Sequence, residues 1–277
     1  MNPARIAERI ASDLVRRAGQ GAPPVDPRSV AQLLCPGLRI AEHDIDGAGY
    51  LFPLFPSGGE VLVRRSDPEW RQRFTIAHEL GHWYLLHVAP EDLYESCDLG
   101  TRNAMERWCN AFAAALLMPD GWLLRDLSRA GPARFAEFVQ FLPGRYGVSR
   151  QTARIRVSTS TPISIFVLRR VANYWELEEK YLAHRADDGD ALRATFAYLK
   201  QHANPRESLP AVTRYSDSVA AFKLLGLGSE GEEWLAAVAP LSFMLSVHRG
   251  VTSGPGNGWR THSDCQIVDG LQYSEAD

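Results

Sequence analysis

His78 and His82, with Glu79 between them, form a His-Glu-x-x-His array inside Thr75-Ile76-Ala77-His78-Glu79-Leu80-Gly81-His82-Trp83. On an α-helix, residues four apart share a face, so both imidazoles can reach one metal ion. The spacing makes His78 and His82 candidate metal ligands and Glu79 the catalytic carboxylate. Glu79 sits about a quarter-turn round, where it can hold a water and take its proton. The bland alternative is an exposed helix with two surface histidines. Phe74, Ile76, Ala77, Leu80, Trp83, Leu85 and Leu86 argue against it, because a solvated helix is not apolar on so many sides.

Catalytic zinc usually keeps three protein ligands, so a third donor is expected. Glu106 is the best candidate. It opens a run through Met118 and Pro119 that has high helix propensity and no charge after Arg107, which reads as a buried helix ended by the proline. Asn110, four residues on, shares its face and could accept the second N–H of a ligating histidine, fixing the tautomer. The competing reading pairs Glu106 with an arginine and leaves Asn110 at a loop. His87, five residues after His82, points away from the ligand face. Glu91, Asp92, Glu95 and Asp98 fall in a polar segment that reads as a solvated loop. Cys97 lies there too, between the second and third ligands. As a regulatory thiol it could occupy the open coordination position until withdrawn or oxidised; equally, it is a loop cysteine without a role. Spacing alone selects no oxyanion-assisting residue among His184, His202, His248 and His262.

These residues need elements to hold them. A first helix is expected from Pro3 to Ala18, then a Gly/Pro turn, then a short helix opened by Asp26 as N-cap and Pro27 at the first position. Gly49–Phe52 and Glu60–Arg64 read as two strands joined by 53–59. Asp67-Pro68 starts the motif helix, 89–102 forms a connecting loop, and the Glu106 helix follows. Helices are expected over 121–129 and 133–142. Tyr146 to Arg156 looks like the second half of a helix-turn-helix, with Ser149 as N-cap. The polar stretch 158–162 is the best boundary, giving domains 1–158 and 159–277. Beyond it, strands are expected at 163–168, 175–178 and 241–248 and helices at 191–202 and 232–238, an α+β domain with a turn-rich tail from Gly254.

Three pieces together resemble the ImmA/IrrE family of zinc-dependent metallopeptidases over roughly the first 158 residues. They are Arg71-Gln72-Arg73-Phe74-Thr75-Ile76-Ala77-His78-Glu79-Leu80-Gly81-His82, then Glu106-x-x-Cys109-Asn110 running into Ala113 to Pro119, then Tyr146-Gly147-Val148-Ser149 before a helix. The resemblance implies an α+β chain. Its first domain would be mainly helical and zincin-like, of the gluzincin (HExxH…E) type. A small antiparallel sheet beside the zinc would bind an extended substrate at its edge by strand addition. It implies Zn2+, with Mn2+ as the alternative, on His78, His82 and Glu106, and catalysis by Glu79. It also implies a partner: family members cut a helix-turn-helix repressor, releasing silenced genes after stress or invasion by foreign DNA. In some relatives the following region is a GAF-like sensory domain, so 159–277 is expected to be regulatory.

Composition sets the outer bounds. A chain of 277 residues suits two domains, and 45% hydrophobic with 23% charged residues is ordinary for a soluble protein. No apolar run approaches the ~20 residues needed to span a bilayer. The amphipathic N-terminus lacks the apolar core of a signal peptide, so a cytoplasmic protein without a membrane partner is expected. Cys35, Cys97, Cys109 and Cys265 are widely spaced, which suggests neither a disulfide framework nor a zinc ribbon. Net charge is −3, and residues 160–277 carry 11 Lys/Arg against 15 Asp/Glu, so neither half shows the basic excess of a dedicated DNA-binding domain. Arg169, Arg170, Arg185 and Arg193 accompany Tyr174, Trp175 and Tyr181, a mixture that could track single-stranded DNA or meet a small-molecule signal. A core strand with solvated charges is the simpler reading. Two rival functions remain: a non-catalytic zinc-containing binding module, and direct DNA-binding regulation through Tyr146 to Val157.

Overall fold

The computed structural model of the chain describes residues 3–54, 58–90, 92–130, 135–171, 174–181, 219–227 and 233–240. The chain divides into two compact units, one of Met1–Leu123 with Phe141–Arg156 and one of Leu124–Gln140 with Val157–Asp277.

In the first unit, α1 (Pro3–Arg17) buries Ile6, Ala7, Ala11, Leu14 and Val15 on one stripe and packs on α5 (Arg102–Leu117). α2 (Pro27–Leu34) starts as its sequence requires. The Asp26 carboxylate accepts from the Arg28 and Ser29 N–H groups, and Pro27 takes the first helical position, where no amide hydrogen is needed. Three strands follow, β1 (Leu38–His43), β2 (Gly49–Leu54) and β3 (Gly58–Arg64), in the order β1-β3-β2. β2 and β3 are antiparallel, as expected, but β1 runs parallel to β3, so the sheet is mixed rather than antiparallel. The reason lies in β3. Its alternation buries Val61 and Val63 completely, and the central place goes to the strand with the most apolar face to cover.

α3 (Glu69–His87) carries the motif and packs against α5, β2 and β3. The segment expected to be an open loop, 89–102, contains the short helix α4 (Asp92–Ser96). Leu93 is buried there, and the Tyr94 hydroxyl donates to the Leu85 carbonyl at 3.0 Å. α5 begins at Thr101, whose hydroxyl accepts from the Ala104 N–H at 3.2 Å, and it ends just before Pro119. Tyr84 of α3 stacks with Trp108 and Phe112 of α5, and these rings weld the two helices together.

α6 (Asp120–Ala130), α7 (Phe135–Tyr146) and α8 (Arg150–Ser160) follow. Gly147 has φ +61°, the left-handed turn between α7 and α8, and the Ser149 hydroxyl caps α8 by accepting from the Thr152 N–H at 2.9 Å. Of the three arginines of α8, Arg150 is exposed, but Arg154 and Arg156 turn inward and are 8% and 2% exposed. The Arg156 guanidinium donates to the Met118 carbonyl (3.0 Å) and to the carboxylates of Glu8 (2.7 Å) and Asp120 (2.5 Å).

In the second unit, β4 (Ser164–Val171), β5 (Tyr174–Tyr181), β6 (Val219–Leu227) and β7 (Glu233–Pro240) form an antiparallel sheet in the order β5-β4-β7-β6. The helix expected over 232–238 is therefore strand β7. Its alanines favour a helix intrinsically, but pairing with β4 on one side and β6 on the other overrides that weak preference. The expected elements at 191–202 and 241–248, the tail, and Arg185 and Arg193 lie outside the described residues.

Candidate metal centre

The close approach of α3 and α5 assembles the site. A Cβ placed on Gly81 would meet Cys109 Cα, Cβ and Sγ at 3.2–3.3 Å, so this glycine lets the two backbones come near one another. At that crossing His78 and His82 of α3 face Glu106 of α5. His78 Nε2 lies 3.1 Å from His82 Nε2 and 3.2 Å from Glu106 Oε2, and His82 Nε2 lies 3.7 Å from Glu106 Oε1. Among the described residues these three form the one group of side chains whose ligand atoms could hold a metal ion, all within 4.8 Å of one another.

The spacing fits a tetrahedral ion. Donors about 2.0–2.1 Å from zinc stand roughly 3.4 Å apart at the tetrahedral angle. The donor chemistry fits as well. His78 Nδ1 is 3.0 Å from Asn110 Oδ1, and an amide oxygen can only accept, so the Nδ1 proton is donated to it and the Nε2 lone pair points at the group. Asn110 thus stands where the one-turn offset from Glu106 places it.

Electrostatics favours the ligating forms. Burial lowers the pKa of His78 against the opposing pull of Glu106 and Asn110, and burial together with His78 lowers that of His82. Both rings are therefore neutral donors near neutral pH. Glu79 is pushed from 4.5 up to about 7, first by burial and then by the Glu106 carboxylate. Among the described residues the nearest Lys or Arg paired with Glu106 is Arg102, 4.0 Å away and almost wholly exposed. The alternative pairing of Glu106 with an arginine is thus at most a solvated contact.

The cysteines behave differently. Cys97 is buried and is not brought into the ligand group, and burial raises its thiol pKa, which disfavours the thiolate a metal would bind. Cys109 is fully buried behind Gly81, with its thiol pushed far up by burial and by Glu106 and Glu79. His87 ends α3 and stacks on Trp83 with ring centroids 4.0 Å apart. The four distal histidines lie outside the described residues. Sequence reasoning gave no weight to Gly49. A Cβ there would press on Thr75 and come within 3.6 Å of Glu79 Oε1, so β2 passes directly beside the carboxylate. A glycine at the start of a strand pattern is the signal that marks such close approach.

Residues 35–158 match the IrrE N-terminal-like domain family, Peptidase_M78. The radiation response metalloprotease IrrE of Deinococcus radiodurans is 34% identical over 115 residues, covering 40% of this chain and 34% of that protein. The protein of the same name from Deinococcus deserti is 35% identical over 102 residues, covering 32% of this chain and 36% of its own. The matched segments span about a third of the length of these relatives. A Mycobacterium tuberculosis transcriptional regulator superposes with a TM-score of 0.49 at 18% identity, covering 86% of this chain and 77% of its own, a level that bears on neither fold nor function. Residues 35–158, which hold α3, α5 and the whole ligand group, belong to the IrrE N-terminal-like metallopeptidase family.

Proposed function

We propose that the chain is a cytoplasmic zinc-dependent endopeptidase, with His78, His82 and Glu106 as ligands and Glu79 as the catalytic carboxylate. The convergence of three lone-pair donors with a half-buried carboxylate one residue from His78 carries this reading. Zinc, or manganese in its place, would supply the Lewis acidity that acidifies a water and polarises a scissile carbonyl. The chain's own residues do the rest. Glu79 takes the proton of the attacking water and later delivers it to the leaving amine nitrogen. Asn110 holds the His78 ring in the tautomer that binds. The edge of β2, which pairs with no further strand among the described residues and lies beside Glu79, aligns an extended substrate backbone.

The proposed substrate is a helix-turn-helix repressor, cut to release stress or defence genes. Residues 159–277 are proposed to gate access as a sensory domain. The experiment tests whether the zinc-loaded protein and Glu79→Gln cleave any helix-turn-helix repressor encoded in a neighbouring reading frame. The variant should keep its metal and leave the repressor intact, whereas persistent cleavage removes Glu79 from the mechanism. A non-catalytic zinc module would instead release a partner on chelation without changing its mass. Direct duplex binding through Tyr146–Val157 has less support, since two of its arginines, Arg154 and Arg156, are buried and committed elsewhere.

A further inference from the structure

β2 is an edge strand with an uncommon outer face. Tyr50, Phe52 and Leu54 are 44%, 49% and 64% exposed, three large apolar side chains at alternate positions of one short strand. Apolar surface of this kind next to a reaction centre asks for a covering group. Register places Leu62 across from Tyr50 and Glu60 across from Phe52 on the same outer face, while Gly49 and Leu51 pair with the buried Val63 and Val61 on the helix side. The Tyr50 ring is also held in place. It tilts against Phe52 with centroids 6.2 Å apart, and its hydroxyl would lie 2.7 Å from a Cβ on Gly47.

The backbone determines how a peptide could meet this face. The Ala48 carbonyl accepts from the Arg64 N–H at 3.2 Å, so Ala48 turns its polar groups toward β3. Alternation then turns those of Tyr50, Phe52 and Leu54 toward β3 and those of Gly49, Leu51 and Pro53 toward the free edge. Pro53 has no N–H to offer there, so a docking strand is held mainly by Gly49 and Leu51. Residues of that strand opposite Gly49 face Thr75 and Glu79. The residues opposite Tyr50 and Phe52, which flank the one opposite Leu51, face outward directly beside those rings.

We propose that Tyr50 and Phe52, extended by Leu54, are specificity-determining residues that select an extended peptide segment carrying aromatic or β-branched side chains at alternate positions. Cross-strand aromatic–aromatic and aromatic–β-branched pairs stabilise a sheet and cover these exposed rings, so they favour such segments over ones with serine in those places. This inference rests on the peptidase reading above and narrows its substrate class: the cleaved segment presents alternating apolar residues as a strand, whatever its conformation before binding.

The test uses the full zinc-loaded chain and two fluorogenic decapeptides, one with Val and Phe at alternate positions and one with Ser in their place. The chain should prefer the apolar peptide about ten-fold, mainly through KM, as two cross-strand contacts would give. Tyr50→Ser with Phe52→Ser should abolish the preference, and Tyr50→Phe should preserve it. Both side chains are exposed, so thermal melting of the double variant verifies its fold, and binding to Glu79→Gln by fluorescence anisotropy separates docking from turnover. Turnover without preference, or a preference that survives the double variant, overturns the specificity role and leaves the peptidase reading standing. Selective binding without turnover by the wild-type chain overturns the peptidase reading and keeps the surface. Neither binding nor turnover overturns both.

Discussion

Two clusters of titratable side chains in the first unit are built from similar parts and serve opposite ends. In one, the buried Arg156 and the half-exposed Arg5 meet Glu8 and Asp120, two cations against two anions, with the remaining Arg156 donor on the Met118 carbonyl. Charge is balanced and every guanidinium bond has a carboxylate or carbonyl to receive it. In the other, two neutral imidazoles and Glu106 aim lone pairs at one point, with Glu79 close by, and the nearest cation is a solvated arginine. Among the described residues no buried cation balances the two carboxylates there. A closed cluster is architecture, tying α1, α5, α6 and α8 together, whereas an unbalanced one demands something from outside the chain. Burial alone would not have separated them; the sum of charges does.

This contrast can be broken or sharpened by experiment. Arg156→Ala should have the largest effect, about 3–5 kcal/mol of lost stability, because it removes the buried cation and leaves Glu8 and Asp120 to share the half-exposed Arg5; it is read as a shift in urea midpoint. Metal affinity of the folded fraction should not change; if it falls in parallel, the clusters are not independent. Glu79→Gln should lower turnover about 10³-fold with stoichiometric metal retained by elemental analysis, since it removes a proton carrier and no ligand. Asn110→Ala should weaken metal affinity about 10–100-fold in a chelator competition, by freeing the His78 ring. A further effect concerns pH. The Glu79 carboxyl titrates at about 7 in the fold against 4.5 when exposed, so it costs nothing below 4.5 and destabilises increasingly as pH rises through 7. The histidines act the other way, their lowered pKa values destabilising the fold as pH falls through 6.5. Metal-free Glu79→Gln should therefore melt above the wild type at pH 8, with the gap closing by pH 4.5. A constant gap would show that the carboxyl is not strained by its surroundings.

The site was legible in the sequence because helices convert spacing into geometry: the one-turn offsets of His78 and His82, and of Glu106 and Asn110, predict which atoms meet once α3 and α5 are paired. Nothing local says that they pair, or that Gly81 sits at the crossing. α2 was readable from Asp26-Pro27 and α8 from Ser149, since caps are written in single residues. The parallel partner of β3 was not, because strand order depends on which face must be covered rather than on any turn signal. α4 was hidden by its charged composition, as one buried leucine and one tyrosine hydroxyl suffice to anchor a single turn. β7 was misread for the converse reason, an alanine-rich segment whose conformation is imposed by neighbours on both sides.

Gly81 has a consequence for ion choice. Because it stands where the helices touch, it works as a gauge that sets how far the imidazole pair is from the opposing carboxylate. Even one methyl group inserted there would widen the jaw by tenths of an ångström, enough to make a small, tightly held cation a worse fit and a larger one a better fit. The spacing of the three candidate ligands thus depends on a residue outside their group.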